Sequence, residues 1–163
     1  MVDLAFEPAH VLARKLRRRE ITAEALMRLY LDRIARFNPK LNAIVVLDAD
    51  KALERAREAD RELARGEVKG PLHGLPTTVK ESFDVAGWKT TWGNPTWKDN
   101  VAAADAAVVE RVKRAGAIVF GKTNVPLLLG DFQSTNEIYG TTNNPWNLER
   151  VPGGSSGGSS AAL

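Results

Sequence analysis

Residues Gly153-Gly154-Ser155-Ser156-Gly157-Gly158-Ser159-Ser160 place only glycine and serine in one continuous run. Backbone of this kind enters conformations closed to other residues and carries hydroxyls with almost no side chain around them. Such a run is either a flexible linker or a place where chemistry is done. Its flanks favour the second reading: Thr141-Thr142-Asn143-Asn144-Pro145-Trp146 approaches without a long polar spacer, and Ala161-Ala162-Leu163 leaves in an apolar, helix-favouring direction.

Upstream, the chain alternates helical and extended patterns. Pro8 suits the first turn of a short helix ending near the arginine cluster. Thr22 is placed to cap a second helix, whose apolar residues Leu26, Leu29, Tyr30, Ile34 and Phe37 recur until Asn38-Pro39 stops the pattern. A short buried strand is expected within Leu41 to Leu47. Asp48 or Asp50 then caps a helix with Ala52, Leu53, Ala56, Ala59 and Leu63 inward, ended by Gly66. A strand follows Pro76 and puts Lys80 at its end. Asp105 is expected to cap a helix with Val108, Val109 and Val112 inward, closed by Gly116 and followed by the buried strand Ala117 to Phe120. Strand, helix, strand predicts a right-handed crossover between parallel strands in an α/β domain.

Several function classes are excluded or weakened at this stage. No cysteine is present, which removes disulfides, thiolate catalysis and cysteine-based zinc sites. Only His10 and His73 carry imidazoles, which argues against a Ser-His-Asp triad. His10 reads as part of a helix face and His73 as a structural turn residue. The net charge of +3 is mild and mixed in sign, so it does not point to nucleic acid. The cluster Arg14-Lys15-Leu16-Arg17-Arg18-Arg19 reads as a solvated helix face. No stretch approaches the roughly 20 apolar residues that span a bilayer, and a cytoplasmic protein without membrane contact is expected. Gly116 to Thr123 satisfies the letters of a phosphate loop. However, a helix precedes it, a β-branched strand fills it and Asn124-Val125-Pro126 follows, where a phosphate loop needs the reverse order.

The run from Gly153, preceded by Asn144-Pro145-Trp146 and Gly121-Lys122-Thr123-Asn124, resembles the amidase signature family of serine hydrolases. Arg33-Ile34, Leu41-Asn42-Ala43, Gly74-Leu75-Pro76-Thr77-Thr78-Val79-Lys80 and Phe83-Asp84-Val85-Ala86-Gly87 extend the resemblance over nearly the whole chain. It implies the N-terminal part of the amidase signature fold, with helices packed on a mixed, mainly parallel sheet. Residues 1–163 would form a portion of one domain, with a helical N-terminus over 1–66 and the sheet and active-site part over 71–163.

The resemblance also implies amide hydrolysis through an acyl-enzyme by a Ser-cisSer-Lys triad, without metal or organic cofactor. Lys80 matches the base, and Ser155 the bridging serine, held by a cis peptide bond to Gly154. Gly154 and Ser156 support it, Ser159 and Ser160 take supporting or helix-start roles, and Leu129 and Ser155 align with places that meet substrate. From its own surroundings, Lys80 is equally a base with a pKa lowered from about 10.4 or a structural ion pair with Glu81 or Asp84. In the family the acylated serine and oxyanion amides lie beyond the Gly/Ser run. The chain is therefore expected to be a fragment, inactive alone, whose partners are a small-molecule amide and the remainder of the enzyme in the same or another chain. A homo-oligomer is compatible with this, and no nucleic acid or membrane partner is expected. Two alternatives stand beside this reading: the amidating A subunit of a glutamyl/aspartyl-tRNA amidotransferase, and a non-catalytic α/β binding module ending in a Gly/Ser linker. Trp88, Trp92 and Trp97 either stack on a ligand or pack over a sheet edge.

Overall fold

The computed structural model describes residues 3–163. In chain order it contains α1 (Ala9–Arg17), α2 (Ala23–Leu41), β1 (Ile44–Leu47), α3 (Ala49–Ala64), β2 (Pro76–Lys80), α4 (Ala107–Arg114), β3 (Ile118–Thr123), β4 (Thr135–Asn136), β5 (Gly140–Thr141) and α5 (Gly157–Ala162). Strand β3 lies between β1 and β2. It runs antiparallel to β1, with Ile44 opposite Thr123 and Leu47 opposite Gly121. Toward β2, Ile118 N–H donates to Leu75 O and Glu81 N–H donates to Thr123 O, both at 2.9 Å. These bonds advance in the same direction along both segments, so that pairing is parallel. The α/β class and the mixed sheet expected from the sequence are present, and β4 and β5 form a separate antiparallel pair.

Two compact units are formed. The first comprises the chain up to Arg33, Asp48–Thr77 and Glu110–Phe120; the second comprises Ile34–Leu47, Thr78–Val109 and Gly121–Leu163.

In the first unit, Thr22 caps α2 as its position predicts, its hydroxyl accepting from Ala25 N–H at 3.0 Å. The carboxylate of Asp60 on α3 accepts two further free amides of that helix start, Ala23 N–H at 2.7 Å and Glu24 N–H at 3.0 Å. Each such cap contributes about 1 kcal/mol. Asp48 caps α3 through Lys51 N–H, and Gly66 follows the helix end at φ +80°. Leu12, Leu16, Leu26, Met27, Ala52 and Ala56 are buried. Small residues on α2 and α3 let the 70–75 turn approach closely: a Cβ added at Gly74 would stand 3.1 Å from the Ala23 Cβ. His73 sits in this turn. Lys69 N–H donates to its Nδ1 at 3.2 Å and its Nε2 lies 2.9 Å from Ala59 O. Both nitrogens are engaged, in keeping with a structural role.

In the second unit, α2 continues to Leu41, past the stop expected at Asn38-Pro39. Pro39 has no N–H to offer the carbonyl four residues back, so α2 lacks one bond there, yet helical bonding resumes beyond it, with Asn42 N–H donating to Asn38 O at 2.7 Å. The termination falls to Asn42, at φ +49°, and to the Asn38 side chain. Its Oδ1 accepts from Ala43 N–H and Ile44 N–H at 2.9 Å, and its Nδ2 donates to Ile44 O at 2.8 Å, turning the chain into β1. Helix α4 starts at Ala107, and Val109 faces the core, whereas Val108, expected inward, is 46% exposed. The Asp105 carboxylate accepts from Ala86 N–H at 2.8 Å. Strand β3 is longer than Ala117 to Phe120 suggested: Gly121, Lys122 and Thr123 continue it, fully buried. A Cβ on Gly121 would lie 2.9 Å from Val46 O, so glycine is what lets β1 pair there. Of the phosphate-loop letters, Ile118 to Thr123 therefore lie in a strand, where a phosphate loop would need open backbone. Among the described residues no helix is long and apolar enough to cross a membrane.

Candidate active site

Lys80 ends β2, and Ser155 lies in the turn that leads into α5. The Lys80 Nζ and the Ser155 Oγ stand 2.8 Å apart. Burial holds the Lys80 amine below the ordinary lysine value. While protonated, the amine donates to the hydroxyl; once neutral, it is placed to accept the hydroxyl proton along the same line. Among the described residues no ion pair engages Lys80. The neighbouring Glu81 turns away, its carboxylate accepting from Thr91 N–H at 2.7 Å, Thr91 Oγ1–H at 3.0 Å, Trp92 N–H at 3.0 Å and Tyr139 O–H at 3.3 Å. This leaves the amine to Ser155 and removes the Glu81 ion pair as its explanation.

The serine is aimed by its own turn. Gly153 and Gly154 take φ +99° and +50°, the left-handed region that glycine enters at least cost. The Gly154 carbonyl is fixed by Ser134 Oγ–H at 3.1 Å and by Gly157 N–H at 3.2 Å. The cis bond expected between Gly154 and Ser155 is not present: among the described residues every peptide bond is trans. Two successive left-handed glycines make the reversal that brings the hydroxyl to Lys80.

The second glycine pair serves packing. A Cβ on Gly158 would lie 2.3 Å from Asn124 N and 2.8 Å from Ala43 O, and one on Gly157 would lie 2.5 Å from Ser134 Oγ. Gly157, Gly158 and Ala161 are buried, so this half of the run is a tight helix start against β3 and its neighbours, not a linker. Ser159 Oγ and Thr123 Oγ1 hydrogen-bond at 2.7 Å. Ser156 is exposed, and its carbonyl accepts from Ser160 N–H at 3.0 Å, which fits a helix-start role. Leu129 lies on the Leu127–Leu129 turn at φ +63°, its amide donating to Pro126 O; no hydrogen bond joins it to Lys80 or Ser155. Trp92 and Trp97 pack edge to face with ring centres 6.3 Å apart, and both rings remain partly exposed.

Sequence reasoning missed Lys122. It is fully buried, donating to Lys89 O at 2.6 Å and to Thr90 Oγ1 at 2.9 Å. Burial pulls it down to about 8, against the opposing pull of the Glu81 and Asp84 carboxylates. The signal lay in Gly121-Lys122-Thr123 continuing the apolar run of β3, which carries the lysine inside with the strand.

Comparison with known proteins bears on all of these residues. The family model described as Amidase matches residues 25–163. The A subunit of the glutamyl-tRNA(Gln) amidotransferase of Acidothermus cellulolyticus is 42% identical over 163 residues, all of this chain and 32% of that protein. The native peptide amidase of Stenotrophomonas maltophilia superposes with a TM-score of 0.89 at 34% identity, over 98% of this chain and 34% of that one. A fatty acid amide hydrolase superposes with a TM-score of 0.91 at 26% identity, over 97% of this chain and 29% of that one. The chain thus spans about a third of the length of these relatives. A match of that breadth, over a fold shared with solved amidases, means that this chain belongs to the amidase signature family.

Proposed function

We propose that this chain carries the proton relay of an amide hydrolase, as a portion of a single amidase signature domain. Lys80 is the base and Ser155 the bridge; the nucleophilic serine comes from outside these residues, in the same polypeptide or a partner chain. The observation that carries this reading is the 2.8 Å approach of an amine with a lowered pKa to a serine hydroxyl. Neutral Lys80 takes the Ser155 proton while Ser155 takes that of the nucleophilic serine, whose oxygen attacks the amide carbon. The tetrahedral intermediate collapses as the proton returns through Ser155 to the departing nitrogen, and water hydrolyses the ester through the same relay. Leu129 contributes to the substrate wall, Gly154 and Ser156 support the bridge, and the setting is cytoplasmic. In the active enzyme, Lys80→Ala and Ser155→Ala each lower kcat/KM on simple amides by on the order of a thousandfold. Turnover that survives both substitutions refutes the assignment.

A second reading, the amidating subunit of a glutamyl-tRNA(Gln) amidotransferase, is favoured by the name of the relative at 42% identity. Ammonia-dependent conversion of a glutamyl-tRNA, requiring further subunits, distinguishes it from hydrolysis of free amides.

A further inference from the structure

The turn that carries Ser155 is not shaped by packing at its glycines. A Cβ built on Gly153 or Gly154 would meet nothing within 4 Å. Glycines at φ +99° and +50° with open space beside them have many other conformations within reach. The turn is held at the Gly154 carbonyl, where Gly157 N–H closes it from within and Ser134 Oγ–H reaches it from a distant part of the chain. Ser134 is completely excluded from solvent. Glycine at 157 leaves the room in which its hydroxyl sits, since a Cβ there would stand 2.5 Å from Ser134 Oγ. The carbonyl so held belongs to the peptide group that ends at Ser155 N, one bond from the Cα that directs the hydroxyl to Lys80.

Ser134 is itself anchored in a buried polar network. Its carbonyl accepts from Thr142 N–H at 2.9 Å, and the side chain of Gln133 beside it donates to Thr142 O at 3.0 Å. The Thr142 hydroxyl donates to Asn42 O at 2.7 Å and accepts from Asn124 Nδ2 at 3.0 Å. Asn124 N–H in turn donates to Ala43 O at 2.9 Å. Thr142 and Asn124 are, like Ser134, fully buried, and satisfied networks of this kind are rigid. A fixed donor thus meets a turn that its own packing leaves loose. We propose that Ser134 is a positioning residue for the proton relay, holding the Gly154–Ser155 peptide so that the Ser155 hydroxyl stays on the Lys80 amine. A misplacement of about 1 Å in such a group lowers rates on the order of a hundredfold. The inference rests on the amide-hydrolase reading for its catalytic half, whereas the hold of Ser134 on the turn is a property of the chain itself.

The test has two arms, both with Ser134→Ala, which removes the donor and leaves the rest of the side chain. In the chain itself, amide hydrogen exchange at Gly157 speeds up at least tenfold while β3 amides stay within twofold. In the active enzyme, with p-nitroacetanilide as the amide, kcat falls at least tenfold and KM stays within threefold. In a Ser155→Ala background the same substitution changes kcat/KM by less than twofold, because the group it positions is gone. A merely structural role lowers activity by the same factor in both backgrounds, which overturns the proposal. So does a loss confined to KM, unchanged exchange at Gly157, or acceleration that spreads to β3. A parent enzyme that turns over no simple amide refutes the hydrolase reading and with it the catalytic half of the proposal, while the exchange arm still decides whether Ser134 holds the turn.

Discussion

Lys122 keeps an ammonium group where there is no water, held by two neutral oxygens. Its pKa is about 8 in the folded chain against an ordinary 10.5. Between those values the native state has released the proton while the unfolded chain still binds it, so stability rises with pH across that window. The contribution is complete above about 10.5, is lost as pH falls through 8, and is on the order of 3 kcal/mol. Tyr139, pushed up to about 12 by burial, has the opposite sign, since its native proton is retained after the unfolded phenol has lost its own. Its influence begins near pH 10, above most of the lysine window. Chemical denaturation at pH 7.5 and pH 10 is therefore expected to show a gain in the parent chain that exceeds that of Lys122→Met by roughly 2 kcal/mol. Equal gains in the two proteins refute the burial of a titrating amine at this position.

At the level of elements, the start of α5 is specified by what its glycines lack. Gly158→Ala drives a methyl group into the Asn124 and Ala43 backbones, which cannot swing aside as a flexible side chain would. We expect a loss of about 2–4 kcal/mol, read as a fall in the denaturation midpoint. Gly153→Ala meets open space but must hold φ +99°, and is expected to cost about 1 kcal/mol. A Gly158→Ala chain as stable as the parent contradicts the close packing. This element also marks how far sequence reading reaches. The composition of the run allowed either a linker or a place for chemistry, and its flanks pointed away from a linker. It could not show which backbones come close, because Asn124 and Ala43 are remote in sequence. Helix starts at Thr22 and Asp48 were legible because a cap acts within three residues. The end of α2 was not, because Asn38 bonds forward to residues whose direction the chain had yet to take. Lys80 was legible as a strand end, whereas the destination of Glu81 depended on a turn whose shape no local pattern specifies.

Over the whole molecule, the boundary between the two compact units falls inside α2, β2, α4 and β3, so each of these elements belongs to both. Helices and strands form cooperatively along their length, and neither unit can melt without ending elements of the other in mid-course. All four tryptophans lie in the second unit, while α1 and α3 lie in the first. Tryptophan fluorescence therefore follows the second unit, whereas far-ultraviolet dichroism draws on the helices of both, and we expect them to report one coincident urea transition. Two separated midpoints refute this coupling. The α/β class was readable beforehand from the succession of periodic segments, but the interleaving was not, since it depends on which faces meet. The sequestered amine of β3 has one more consequence: acylating reagents that mark surface lysines pass it by until the fold opens. The mass of the peptide carrying it then becomes a clock for rare excursions, readable without any engineered label.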